Sequence, residues 1–181
     1  MEASTAQLTG SPRRQDAGPS IDKEQEAAGQ HQYLTFLLGT EMFAIGILSI
    51  REIIEYGFIT EVPMTAPFIR GVLNLRGAVV PILDLAIRIG RHPQENTKRT
   101  CIVIVEIESV NGSQEMGIVV DAVNEVLDIP DNAIEAPPEF GSHIRNDFIK
   151  GIGKVGSKFV IVLNLDRILS VTEIAVLANT A

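Results

Sequence analysis

The segment Phe68–Leu85, "FIRGVLNLRGAVVPILDL", decides the fold of this chain. Two apolar runs flank a glycine turn, and aliphatic and β-branched residues of this kind favour strands. A glycine between two such runs marks a hairpin. The segment contains Arg70 and Arg76 but no Ser, His or Cys, and its only acid is Asp84. It therefore predicts a structural hairpin rather than a catalytic motif.

The hairpin occurs twice in the chain. Phe68–Gly71 corresponds to Phe148–Gly151, and Ile82–Leu85 matches Val162–Leu165 at the same offset and without a gap. The second copy also has a glycine turn, since "KVGSKF" places Gly156 between its two apolar runs. Self-similarity at a fixed offset indicates an internal repeat of one structural unit.

An earlier block extends this repeat. The stretch "FAIGILSIREII" from Phe43 matches "MGIVVDAVNEVL" from Met116, and this alignment places Glu52 opposite Glu125. The alternative is a chance similarity between strand pairs of like composition. The common order of the matched blocks favours two copies of a unit with about five short strands, the size of a small closed barrel. The sequence leaves open whether the halves exchange strands.

Composition limits the classes of protein that fit. The chain has 181 residues, with 45% hydrophobic, 21% charged and 5% aromatic residues, which is typical of one globular domain or two very small ones. The net charge of −8 disfavours a nucleic-acid-binding surface and an anionic membrane. No apolar run approaches the ~20 residues of a membrane span, so we expect membrane association only through a partner. The single cysteine, Cys101, lies in an apolar strand and is predicted to be a small core residue of a cytosolic protein.

The predicted folded region covers residues 31–177. Residues 1–30 are rich in Ser, Gln, Ala, Glu, Gly and Pro, and predict a disordered tail or tether rather than a secretory signal. Strands and turns alternate through most of the folded region, with the boundary between the two units near residues 90–100. A short helical turn followed by a strand is predicted before Pro63. The end of the chain is predicted to be helical, with Thr172 as the N-cap residue.

Catalytic and metal motifs are not apparent. The three histidines, His31, His92 and His143, have no His, Cys or acid at metal-ligand spacing, so we expect neither a metal nor another cofactor. The stretch "GIGKVG" (residues 151–156) has the glycine spacing of a dinucleotide site but lies in a predicted hairpin. Outside a strand–turn–helix unit, that spacing predicts a turn and a bulge.

Asp84 and Asp121 are candidate catalytic acids, because each follows an apolar run. A pair of carboxylates can perform the acid–base chemistry of a hydrolase. In the alternative interpretation, each caps the next turn or pairs with an arginine such as Arg76 or Arg88. Asn164 stands at the repeat position of Asp84, and this favours capping, because Asn caps as well as Asp while it cannot replace a catalytic carboxylate.

The remaining candidates are surface residues. Arg76 precedes Gly77 at the hairpin turn, where its guanidinium can bind a carboxylate of a partner or pair with an acid of this chain. Phe140, in a Pro-rich loop, is either a lid on the core or an anchor in a protein interface. Ile50 and Glu52 are an apolar–acidic pair, expected to be core and solvated charge unless a partner covers them.

The three blocks together resemble the signatures of the CheW family of bacterial chemotaxis coupling proteins. They are "FIRGVLNLRGAVVPILDL", "MGIVVDAVNEVLDI", and the Phe-Ile-Lys-Gly hairpin with "VIVLNLDRIL", in that order. The resemblance covers residues 32–177. It implies an all-β, CheW-like fold with short helices, built from two five-stranded SH3-like barrels, and it implies no catalysis. We expect neither a receiver domain nor a kinase core in this sequence.

The resemblance also implies partners. Proteins of this family link the cytoplasmic tips of transmembrane chemoreceptors to the regulatory domain of the histidine kinase CheA, in arrays on the inner face of the membrane. Carried over by motif, receptor contact maps to Arg76, with Ile50 and Glu52, in the groove between the barrels. The kinase contact is expected on apolar barrel ends, and Phe140 is added as a hypothesis. The alternative is a CheW-like adaptor of another receptor–kinase pathway, such as surface motility.

Overall fold

The computed structural model describes residues 31–139 and 143–180. The tail predicted for residues 1–30 and the candidate Phe140 lie outside these residues. The described part contains eleven strands and three α-helices, which confirms the all-β prediction with short helices. The strands are β1 (Gln32–Leu38), β2 (Glu41–Gly46), β3 (Ile50–Glu55), β4 (Ile69–Leu75), β5 (Ala78–Asp84), β6 (Cys101–Ser109), β7 (Gly112–Val120), β8 (Ala122–Asp128), β9 (Ile134–Glu135), β10 (Ile149–Val155) and β11 (Lys158–Leu163). The helices are α1 (Leu85–Arg88), α2 (Leu165–Ile168) and α3 (Val171–Thr180).

The two predicted hairpins are present and have the same form. In β4–β5, Leu75 pairs with Ala78 across a two-residue turn. In β10–β11, Val155 pairs with Lys158 across another. Both hairpins have a register shift near the start of the first strand, so the repeat seen in the sequence extends to local irregularities of the ladder.

The two halves of the chain exchange strands. One sheet has the order β3-β6-β7-β5-β4, and the other has the order β8-β1-β2-β11-β10-β9. Each sheet therefore combines the first two strands of one repeat with the later strands of the other. The predicted boundary near residues 90–100 does not divide the sheets, because β6 and β7 follow it in the chain and yet pair with β3 and β5.

Parallel pairings join the exchanged strands. Strand β2 pairs with β11 through Phe43 and Ile161, and β5 pairs with β7 through Leu83 and Ile118. All other strand pairs in the described part of the chain are antiparallel. Parallel neighbours cannot be joined by a tight turn, so each parallel pair brings together distant segments of sequence.

The largest cluster of buried side chains draws on both sheets. It includes Phe36 and Phe43, whose rings stack with centroids 6.2 Å apart, together with Leu83, Ile118 and Phe148. Each of these side chains is almost fully buried, which contributes about 1.5–3 kcal/mol per side chain to folding. The two sheets thus share one large core cluster, and each sheet also has a smaller buried cluster of its own.

Arg88 lies inside this shared core, at the end of α1. Its guanidinium carbon is 5.0 Å from the ring centroid of Phe68 and 4.8 Å from that of Phe148, which are repeat-equivalent residues. Arg88 is only 8% exposed, and its Nε donates a hydrogen bond of 2.8 Å to the carbonyl of Ile168 in α2. Burial lowers the pKa of the Arg88 guanidinium, and Glu173 partly offsets this effect. Arg88 therefore connects both repeats through one buried cation.

Helix α3 contacts the same charged cluster through Glu173. Glu173 accepts a hydrogen bond from Arg145 and lies 3.4 Å from the Arg88 guanidinium. The Arg145 hydrogen bond holds the pKa of Glu173 below its ordinary value of 4.5. The predicted N-cap at Thr172 is wrong, because Ser170 precedes the helix and its hydroxyl accepts a long bond of 3.5 Å from the Glu173 amide.

We expect Gly71→Ala to destabilise the fold by at least about 2 kcal/mol. Gly71 has a φ of +143°, and a Cβ at this position would stand 2.1 Å from the carbonyl oxygen of Thr60. Chemical denaturation measures the free energy of unfolding. Gly57→Ala is the matched control, since a Cβ there meets no atom within 4 Å. Equal stability of the two variants would contradict the close contact.

The lowered pKa of Glu173 gives stability a dependence on pH. The folded-state pKa of Glu173 lies below the ordinary 4.5. The stabilisation that its carboxylate gives the fold is therefore complete above pH 4.5 and is lost as the pH falls through the folded-state pKa. We expect Glu173→Gln to be less stable than the wild type at about pH 7 and to approach it at about pH 3. Urea denaturation at both pH values measures the difference. Glu108→Gln, on an exposed residue, is the control for the loss of a surface charge.

Candidate functional site

The turn of the first hairpin presents Arg76 to solvent. Arg76 has a φ of +52° and Gly77 has a φ of +87°, and two consecutive positive φ values are the geometry of the tightest hairpin turns. The side chain of Asn74 accepts a hydrogen bond of 2.9 Å from the Gly77 amide and stabilises this turn. The Arg76 side chain is 74% exposed, so the fold displays a guanidinium at the apex of a tight hairpin turn.

The structure brings Arg76 and Glu52 together. The Arg76 guanidinium donates a hydrogen bond to the carboxylate of Glu52 in β3, the strand at the opposite edge of the sheet from β4. Exposed ion pairs of this kind contribute only about 0–1 kcal/mol to stability. A partner that offers its own carboxylate can therefore replace Glu52 at little cost to the fold.

Ile50 begins the strand that carries Glu52. It is half-buried and packs against the shared core, as its apolar character predicts. The pairing of β3 with β6 shifts register between Ile50 and Glu52. Of the three residues predicted for one surface, the structure thus brings Arg76 and Glu52 into contact, and Ile50 lies two positions before Glu52 on the same strand.

The two candidate catalytic acids have structural roles. Asp84 accepts a bond of 2.9 Å from Arg70 Nε and a bond of 3.1 Å from the Ile87 amide, which caps α1. Its arginine partner is Arg70, and the predicted partners Arg76 and Arg88 are wrong. Asp121 accepts a bond of 2.6 Å from the Gly39 amide. Both carboxylates are engaged, and the capping interpretation is confirmed for Asp84.

Other predicted motifs are also structural. The stretch "GIGKVG" lies in the β10–β11 hairpin and ends at its turn, where Gly156 has a φ of +61°. Cys101 is half-buried rather than fully buried, and burial raises the pKa of its thiol. Within the described residues, no cluster of three His, Cys, Asp or Glu side chains is arranged to hold a metal ion. In the same part of the chain, no helix has the length and apolarity to cross a membrane.

Sequence reasoning missed an exposed apolar patch in the connection between β3 and β4. Phe58 is 100% exposed, and Val62 and Met64 are also exposed. An aromatic and two aliphatic side chains in an apolar stretch predict core, so the composition gave no signal of this exposure. Exposed apolar side chains grouped on one connection in this way mark a protein interface in many proteins.

A second apolar surface lies on the other sheet. Phe159, in β11, is exposed beside an open groove of about 1020 Å³. Val79, the repeat-equivalent residue in β5, is exposed as well. The apolar residues that line the groove come from both halves of the chain and include Leu37, Met42, Ile152 and Ile161. Each barrel therefore exposes apolar side chains.

Comparison with known proteins agrees with these features. The sequence model of the CheW-like domain matches residues 32–173. The chain is 34% identical over 156 residues to the chemotaxis protein CheW of Klebsiella aerogenes, covering 86% of this chain and 91% of that protein. It is 33% identical to the probable chemotaxis protein CheW of Rhizobium etli, covering 80% and 91%. The crystal structure of the scaffolding protein TtCheW from Thermoanaerobacter tengcongensis superposes with a TM-score of 0.68 at 32% identity, covering 85% of this chain and 91% of that one.

Proposed function

Because the chain belongs to the CheW-like domain family of non-catalytic chemotaxis scaffolds, we propose that it couples transmembrane chemoreceptors to the histidine kinase CheA. The observation that supports this function best is the display of Arg76 at the apex of a tight hairpin, in an ion pair that a partner can replace. The protein acts by contact. It holds receptor and kinase in one array at the inner face of the membrane, so that a change in the receptor biases the kinase between two states.

Receptor binding uses Arg76, Glu52 and Ile50. A receptor carboxylate takes the place of Glu52 on the guanidinium, and an apolar receptor side chain packs near Ile50. The ion pair within the free protein keeps Arg76 oriented, which lowers the conformational entropy lost on binding. Each contact is modest, and affinity is raised when many couplers and receptors assemble in one array.

Kinase binding uses the exposed apolar side chains of the barrels. Phe58 and Met64 supply the large flexible surface that protein interfaces favour. They lie in the β3–β4 connection, whereas Arg76 lies at the β4–β5 turn, so two partners can bind different parts of the same barrel. Phe140 is a further candidate for the kinase contact and lies outside the described residues.

We expect Arg76→Glu to weaken receptor binding by about 1–3 kcal/mol, the range for a charged interface contact. The substitution places a second carboxylate beside Glu52, so it repels the receptor acid while the exposed site leaves folding intact. The measurement is the affinity for a receptor cytoplasmic fragment, with CheA binding and thermal unfolding recorded alongside. Receptor and kinase should come from the same cell, which also tests the alternative of another receptor–kinase pathway.

The matched control for this experiment is Arg51→Glu. Arg51 is also exposed, also on the sheet of β3, and also paired with a glutamate, Glu106. It should bind the receptor like the wild type. An equal loss of receptor affinity in both variants would show a general effect of charge. An unfolded Arg76→Glu protein would show that Arg76 is needed for the fold.

We expect Phe58→Ser to weaken CheA binding by at least about tenfold while receptor binding stays unchanged. The side chain is fully exposed in the free protein, so its loss removes interface area without leaving a cavity. Titration calorimetry with the kinase regulatory domain measures the effect. Val110→Ser, at the exposed β6–β7 turn, is the control and should bind CheA normally. A reduced receptor affinity in Phe58→Ser would place this patch in the other interface.

A further inference from the structure

The two repeats differ in how they neutralise one cation. In the first repeat, Arg70 Nε donates a bond of 2.9 Å to the buried carboxylate of Asp84. The equivalent residues in the second repeat are Lys150 and Asn164. Asn164 still caps its helix, since its Oδ1 accepts a bond of 3.4 Å from the Arg167 amide in α2. The capping role of this position is therefore retained and the negative charge is not.

Lys150 is left without an acid partner. Its Nζ donates a bond of 3.1 Å to the hydroxyl of Tyr33 and lies 5.4 Å from the centroid of that ring. In residues 31–139 and 143–180, no carboxylate oxygen lies within 4.0 Å of this ammonium group. An ammonium has three donors, and the contact with Tyr33 uses one of them.

Lys150 lines a cleft of about 380 Å³. Tyr33 and Asn164 line it together with Leu48, an aliphatic side chain that is 59% exposed. Asp166 is the one acid among the described residues that line the cleft, and it forms no ion pair with any cation of the described residues. A cation beside an exposed leucine matches a peptide segment that carries a carboxylate next to an apolar side chain.

The cleft is continuous along the chain with the surface assigned to the receptor. Leu48 and Ser49, which line it, immediately precede Ile50 and lie within four residues of Glu52. A partner segment that covers Ile50 therefore passes close to Leu48. We propose that the Lys150 cleft binds a carboxylate of the receptor, as a second charged contact beside that of Arg76. This inference rests on the proposed function, because it takes the receptor as the occupant.

Two variants test the cleft without disturbing the fold. Lys150→Ala removes the cation. Asn164→Asp restores the internal carboxylate of the first repeat and keeps the α2 cap, since Asn and Asp cap equally well. Both should bind a receptor cytoplasmic fragment about tenfold more weakly, while CheA binding is unchanged and thermal unfolding shows that both variants remain folded. Lys154→Ala, an exposed lysine four residues along β10, is the control and should bind like the wild type.

A direct test uses a carbodiimide on the complex of the full chain with the receptor fragment. The reagent activates a carboxylate, which then forms an amide with a lysine amine only where the two groups touch. Mass spectrometry should identify an amide between Lys150 and an Asp or Glu of the receptor. The cross-link should be absent in Lys150→Arg, because a guanidinium does not form this amide.

The outcomes separate the two proposals. If the wild type binds the receptor and Lys150→Ala and Asn164→Asp bind as tightly, the cleft inference is wrong and the proposed function stands. If the two variants lose CheA rather than the receptor, the occupant is the kinase and the receptor assignment is overturned. If the folded wild type does not bind the receptor, the proposed function fails and the cleft inference fails with it.

Discussion

The exchange of strands between the two repeats is the constraint on which the rest of the structure depends. Strands β1 and β2 find their outer hydrogen-bond partners in β8 and β11, and β6 and β7 find theirs in β3 and β5. Without the other repeat, each half would leave strand edges and apolar faces in water, which is costly. The shared core and the buried position of Arg88 between Phe68 and Phe148 follow from this exchange.

Duplication makes differences between the repeats informative. Residues that keep the fold are retained in both copies, such as the paired phenylalanines and the helix caps Asp84 and Asn164. The copies differ where a side chain reaches the surface. The first hairpin ends in Arg76-Gly77 and the second in Gly156-Ser157, so only the first carries a guanidinium at its apex. The near-symmetric fold thus carries an asymmetric surface, which the proposed coupling of two unlike partners requires.

Much of the fold follows from the sequence, because local signals determine local structure. The hairpins, the repeat and the exposed Arg76 depend on turn residues and strand patterns that act over a few positions. The exchange was not predictable, since strands of like composition pair equally well within a half or between halves. The exposure of Phe58 was not predictable either, because an aromatic residue among apolar neighbours predicts a buried side chain. The partner of Asp84 depended on which arginine the hairpin brought alongside, and this was Arg70.

The strand exchange also shapes how the chain reaches its structure during synthesis. Thr35 in β1 contacts Glu125 in β8, 90 residues later, and Phe43 in β2 pairs with Ile161. Topologies dominated by such distant pairings fold slowly, because the chain loses the entropy of loop closure before the distant contacts form and stabilise it. The ribosome adds about 5–20 residues per second. The sheet partners of β1 and β2, which are β8 and β11, are therefore synthesised several seconds after β1 and β2 themselves. For that interval the segments of β1 and β2 lack both of their outer partners, and their apolar side chains and backbone groups cannot yet be covered by the rest of the sheet.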